Sequence, residues 1–62
     1  RLRHWIELNG IPPSVFYELA RQGLGPATVR LGARVYVSHE AGERFWRDVE
    51  ENPGKYTGVI GR

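Results

Sequence analysis

Sixty-two residues with a formal net charge of +2 leave room for one domain and a small core. The absence of cysteine excludes disulfides and thiolate metal sites and fits a reducing compartment. No apolar run approaches the ~20 residues that span a bilayer, no secretory leader pattern is read, and the density of Trp, Tyr and Phe argues for a packed core rather than disorder.

The first element is LRHWIEL, residues 2–8, where Leu2, Trp5 and Ile6 stand at the i, i+3, i+4 spacing of an apolar helix face. Asn9-Gly10 stops it, with Gly suited to the left-handed position after the last turn. Pro12 and Pro13 then open a second helix, since proline fits a first turn whose N–H groups have no partner. At ~100° per residue, Val15, Phe16, Leu19 and Ala20 share one face, and Ser14, Tyr17, Glu18 and Arg21 share the other. Gly23 and Gly25-Pro26 end this helix. Two helices joined by so tight a Gly-containing turn read as a helix-turn-helix.

Residues 27–37, ATVRLGARVYV, change period. Val29 and Leu31, then Val35 and Val37, alternate with Arg30 and with Tyr36, and Gly32-Ala33-Arg34 lies between them, which predicts two strands joined by a short Gly-containing loop, a β-hairpin with Arg34 at its tip. Ser38 caps a third helix, in which Ala41, Phe45 and Val49 recur every four residues beside Trp46, and Gly42 is a weak point. Glu40/Arg44, Glu43/Arg47, Arg44/Asp48 and Arg47/Glu51 are opposite-charge pairs at i,i+4 that make its outer face a self-neutralised, solvated surface. Asn52-Pro53-Gly54 ends the helix. Residues 53–62 read as a tail with room for one short docked strand at Thr57–Ile60, following a domain over residues 1–52.

Charge is unevenly spread. Residues 1–37 carry Arg1, Arg3, Arg21, Arg30 and Arg34 against Glu7 and Glu18, whereas residues 38–51 carry Arg44 and Arg47 against Glu40, Glu43, Asp48, Glu50 and Glu51. A basic first half and an acidic third quarter suggest an anionic partner for one face.

The order helix, turn, helix, hairpin, helix carries a resemblance. Gly10-Ile11, Ser14-Val15-Phe16-Tyr17, Leu19-Ala20, Gly23 and Pro26 are followed by Val29-Arg30-Leu31-Gly32-Ala33-Arg34 and Tyr36-Val37, then by Glu40-Ala41 and Phe45-Trp46. From Leu8 to Trp46 this series resembles, without gaps, the excisionase/AlpA-like helix-turn-helix family of phage and mobile-element regulators, related to the MerR-type winged-helix domains. Pro12 stands where that family has a capping Ser, and Glu18 where it often has a basic residue.

The resemblance implies a mainly α fold with a small β-hairpin, a winged helix-turn-helix. It implies a cytoplasmic, nucleoid-associated protein, bacterial or phage-encoded, that binds double-stranded DNA as an excisionase-like factor or transcriptional regulator. Its partners would be DNA, with an integrase or further copies of itself on that DNA, and no membrane. The recognition helix, about residues 12–22, would enter the major groove, where each base pair has its own donor/acceptor pattern. Pro13, Ser14, Tyr17, Glu18 and Arg21 are its candidate contacts. Arg21 would fork to guanine or to a phosphate, Ser14 would bond a phosphate beside free backbone N–H groups, and Tyr17 would touch backbone or a thymine methyl. Glu18 would accept from a cytosine amine or repel phosphate. Arg30 and Arg34 would work from the wing, about residues 28–37, against the minor groove or its phosphates. Each also has an ordinary structural role open to it: Arg21 suits a helix C-terminus, and Arg30 could pair with a carboxylate of the third helix.

The competing reading is a winged-helix protein-interaction module or a DNA-packaging subunit like a terminase small subunit, favoured if Trp5, Trp46 or Tyr56 forms an exposed patch. Catalysis is not expected. Ser14, His4, His39 and Asp48 supply the types for a nucleophile triad but sit on separate elements without a nucleophile elbow, and no His or carboxylate pair has zinc-ligand spacing. No metal and no cofactor are expected.

Overall fold

The computed structural model describes residues 2–60. Its order is α1 (Leu2–Leu8), α2 (Pro13–Arg21), β1 (Val29–Leu31), β2 (Arg34–Tyr36), α3 (His39–Glu51) and α4 (Gly54–Ile60). The chain is therefore mainly helical, with one two-stranded antiparallel hairpin. No described helix is long and apolar enough to cross a membrane.

The first two helices end alike. Gly10 has φ +69° and Gly23 φ +75°. Ile11 N–H donates to the Ile6 carbonyl at 3.2 Å and Gly10 N–H to Glu7 at 3.1 Å; Leu24 donates to Leu19 at 2.8 Å and Gly23 to Ala20 at 3.1 Å. This pair of bonds, six-to-one and five-to-two, needs a left-handed residue between helix and loop, which glycine supplies without steric cost. The residue after each glycine, Ile11 or Leu24, packs back onto the core. The two prolines divide the work at the next start: Pro12 is the extended N-cap, its carbonyl accepting from Phe16 N–H at 3.0 Å, and Pro13 is the first helical residue.

Ile6, Phe16, Leu19, Ala41, Phe45 and Tyr56 are the buried apolar residues. Phe16 and Leu19 are the inner face expected for α2, with Val15 half-buried, whereas Ala20 is exposed. Ser38 caps α3 as expected, its Oγ accepting from Ala41 N–H at 3.0 Å.

Three expectations are corrected. Gly42 is not a weak point but a contact: a Cβ there would lie 2.9 Å from Trp5 Nε1, so glycine is what lets the indole of α1 lie on α3. Asn9 then ties the two helices. Trp46 Nε1–H donates to Asn9 Oδ1 at 2.8 Å, and Asn9 Nδ2–H to the Trp5 carbonyl at 2.8 Å.

The second correction is the tail. Residues 54–60 form helix α4, not a tail with a strand at Thr57–Ile60, while Gly61 and Arg62 lie outside the described residues. Glycine, threonine and valine are poor helix formers, and tertiary contact overrides them. Tyr56 is buried against Phe45 with centroids 5.9 Å apart, and α4 packs on α2. The Pro53 carbonyl accepts from Tyr56 N–H, Thr57 N–H and Thr57 Oγ1 and so starts the helix.

The third concerns the ion pairs of α3. Of the four expected, only Glu40–Arg44 forms, at 3.6 Å. Glu43 pairs with His39 at 3.0 Å, and Asp48 with Lys55 of α4 at 2.7 Å. Arg44/Asp48 and Arg47/Glu51 place the base before the acid, the weaker order along a helix. Asp48 is further held by Asn52 Nδ2 at 2.9 Å and by a short bond from the Tyr56 hydroxyl. Hydrogen bonds from Lys55 and then Tyr56 lower its carboxyl pKa to about 2. Burial first, and then the bond to Asp48, push Tyr56 up to about 12.

Two stability outcomes follow from this packing. Alanine at 42 should gain ~1 kcal/mol of helix propensity but meet a ring wedged between Phe16 and Phe45, where overpacking costs ~1–3 kcal/mol. Gly42→Ala is therefore expected to lower the melting temperature, and a rise would contradict the contact. The second concerns pH. With its folded pKa depressed, Asp48 contributes stability in full above its ordinary value of about 3.9 and loses it as pH falls through about 2. With its folded pKa raised, Tyr56 contributes in full below about 10 and loses its share as pH rises through about 12. In urea melts the stability gap between parent and Asp48→Asn should shrink from pH 4 to pH 2, and that between parent and Tyr56→Phe from pH 10 to pH 12. A pH-independent gap would refute the cluster.

Candidate functional site

Burying Phe16 and Leu19 aims the rest of α2 outward. Pro13, Ser14, Tyr17 and Arg21 are exposed and Glu18 is half-buried. Tyr17 is 57% exposed, its ring edge-on to Phe16 with centroids 5.4 Å apart. It is thus an outward aromatic with a fixed base rather than a core residue.

Arg21 is not idle on this face. Its Nε–H donates to Glu18 Oε1 at 3.2 Å, and its Nη2 to Oε2 in a shorter bond. Gln22 Nε2 donates to the same Oε2 at 2.7 Å. The hydrogen bonds that Arg21 donates to Glu18, and then the charge of Glu18, raise the Arg21 pKa above its ordinary value. Both groups remain solvent-accessible, so the pair is a tether that a stronger anion can replace. Glu18 therefore holds Arg21 against α2 instead of standing as an independent acceptor.

The hairpin turns on Gly32-Ala33, where only Gly32 has positive φ, the pattern of a type II′ turn. Its register is Val29 opposite Tyr36, Arg30 opposite Val35 and Leu31 opposite Arg34. Directly opposed residues share a face. Val29 and Leu31 therefore lie with Tyr36 and Arg34, not with Val35, and Arg34, expected in the loop, is instead the first residue of β2, because the turn needs only Gly32-Ala33. Val35 is half-buried, whereas Val29 is 47% and Leu31 61% exposed. Tyr36 on the other face is half-buried as well, and Val35 lines a depression with Leu2 of α1, which packs on β2.

Two open depressions join these elements. One brings Tyr17 and Ala20 of α2 beside Thr28 and Val35 of the hairpin, with Leu2 and Phe16 at its floor. The other is lined by Leu2, Arg3, Ala33, Arg34 and Val35. They share Leu2 and Val35, so the outer face of α2 runs continuously into the hairpin. Neither depression has a carboxylate in its lining. Among the described residues, Arg3, Arg30 and Arg34 form no ion pair, so Arg30 does not meet a carboxylate of α3.

The adjoining depressions thus run from Tyr17 through Val35 to Arg34, although Val35 and Arg34 are successive residues of β2 and start from opposite faces of the hairpin. Ser14 and Arg21 lie three and four residues from Tyr17 on α2, which places them on the same helix face. Arg3 was not singled out from the sequence. Its only local signal is a position on α1 away from Leu2, Trp5 and Ile6, and its nearness to Arg34 comes from long-range packing.

The remaining chemistry-bearing residues do not converge. Asp48 is occupied by Lys55, Tyr56 and Asn52, His39 pairs with Glu43 on the exposed start of α3, and no hydrogen bond among the described residues links Ser14 to either histidine. Of the aromatics that would favour a protein-binding patch, Tyr56 is buried, Trp5 half-buried, and Trp46 36% exposed. Comparison with protein-family models, characterised proteins and solved structures finds no match to this chain.

Proposed function

We propose that this chain binds double-stranded DNA, as a small excisionase-like factor or transcriptional regulator with a winged helix-turn-helix. On this reading α2 lies in the major groove and the hairpin is a wing over the adjacent minor groove or its phosphates. The observation that carries it is the continuous surface from Tyr17 through Val35 to Arg34, edged by arginines without acidic partners. Binding in a groove calls for an exposed helix face, a second contact beside it and a local excess of positive charge, and the exposed face of α2, the hairpin and Arg3, Arg30 and Arg34 support that reading. Glu43, Glu40 and Asp48 of α3 engage His39, Arg44 and Lys55, and among the described residues Arg3, Arg30 and Arg34 of the first half form no ion pair.

Ser14 and Tyr17 would meet the backbone or a thymine methyl, and Arg21 would exchange Glu18 for guanine or a phosphate. Glu18 then acts as a gate: it holds Arg21 when DNA is absent and penalises a register in which the guanidinium finds no anion. An integrase or further copies on the same DNA would be the protein partners. A protein-binding reading has one observation behind it, the open groove where Trp46 meets Ile11, Val15 and Val49. Salt separates the two, since phosphate neutralisation weakens steeply with salt and apolar docking does not.

Fluorescence-anisotropy titrations of duplex DNA over a salt series test this reading. Arg34→Ala should weaken binding evenly across sequences and lower the salt slope by about one. Arg21→Ala should cost about tenfold or more, mainly on the preferred site if it reads guanine and evenly if it reads phosphate. Glu18→Gln, which keeps the shape but weakens the tether, should bind more tightly than the parent. Variants that melt normally and bind like the parent would remove α2 and the hairpin from the interface.

A further inference from the structure

Arg3 of α1 and Arg34 of β2 line one depression although they lie far apart in the chain. Both are exposed, and neither forms an ion pair among the described residues. Glu7, one turn along α1, makes no ion pair with Arg3, and Arg34 faces Leu31 across the hairpin rather than an acid. The other lining residues are the apolar Leu2, Ala33 and Val35, and α1 packs on β2 there. Two cations that line one depression repel each other. An anion between them converts that repulsion into two attractions, and a guanidinium fork matches the oxygens of a phosphate.

We propose that Arg3 and Arg34 clamp a single backbone phosphate of duplex DNA, one guanidinium on each non-bridging oxygen. This rests on the reading that the hairpin contacts DNA, and it adds α1 to the interface. Arg3 is then a phosphate-binding residue that fixes the tilt of the hairpin on the duplex, without reading a base.

The test uses Arg3→Ala, Arg34→Ala and the double variant, all at exposed positions, with melts to check folding. In duplex titrations each single change should lower the salt slope by about one, and the double change also by about one, because one phosphate is released in every case. A separate arm titrates the parent with inorganic phosphate and follows the Arg3 and Arg34 Nε–H resonances by NMR. Both should shift together, and the Arg34 shift should vanish in Arg3→Ala. If DNA binds but Arg3→Ala keeps the parent slope, or the double variant loses about two, the shared clamp is wrong and the DNA reading stands. If the parent ignores duplex DNA while phosphate still moves both resonances, the DNA reading falls and the clamp stands as a site for free phosphate. No DNA binding and no phosphate response would overturn both.

Discussion

The fold depends on where one indole sits. Trp5 lies edge-on to Phe16 of α2 and to Phe45 of α3, at 6.2 and 6.0 Å between centroids, and rests on the bare backbone of Gly42. Edge-to-face pairs of this kind add to the burial of apolar area itself. Phe45 passes the contact on to Tyr56, which recruits α4. A domain this small has few other sources of stability, so the orientation of α2 follows from this chain of rings. With Phe16 and Leu19 locked inward, Ser14, Tyr17 and Arg21 have only the outside left. The candidate interface is the complement of the core.

Electrostatics follows the same division. Glu43, Glu40 and Asp48 of α3 are used close to home, by His39, by Arg44, and by Asn52 at the end of α3 with Lys55 and Tyr56 of α4. The acid therefore does not reach across to the arginines of α1 and the hairpin, and the uneven charge of the sequence survives folding as an uneven surface. Glu18 is the exception, an acid within the basic region, and Arg21 and Gln22 hold it. An exposed tether of this kind is weak enough to be exchanged.

Much of this was legible in the residues, and the parts that were not share a cause. α1, α2, the hairpin and α3 announce themselves through apolar spacing, the glycines at 10 and 23, and the cap at Ser38, all local signals. α4 does not, because GKYTGVI has little intrinsic preference for helix and is helical through Tyr56, whose partners Phe45 and Asp48 lie on another element. Gly42 looked like a defect because propensity considers only its own helix, whereas its role is set by Trp5. The alternation in residues 29–37 marks strands correctly, but which residues share a face depends on register, and Val35 and Tyr36 of β2, which packs on α1, are half-buried while Val29 and Leu31 are exposed. For the candidate site, the outward set on α2 follows from helical periodicity. The companionship of Arg3 with Arg34 is a long-range contact that no window of sequence contains.

One measurement tests the account most directly: amide chemical shifts mapped while duplex DNA is added to the protein. The account predicts shifts concentrated at Ser14, Tyr17 and Arg21 of α2, at Arg30 to Arg34 of the hairpin and at Arg3, fading as salt is raised, with Glu40, Glu43 and Glu50 of α3 unmoved. Shifts centred on Ile11, Val15, Trp46 and Val49, or no shifts at low salt, would contradict it.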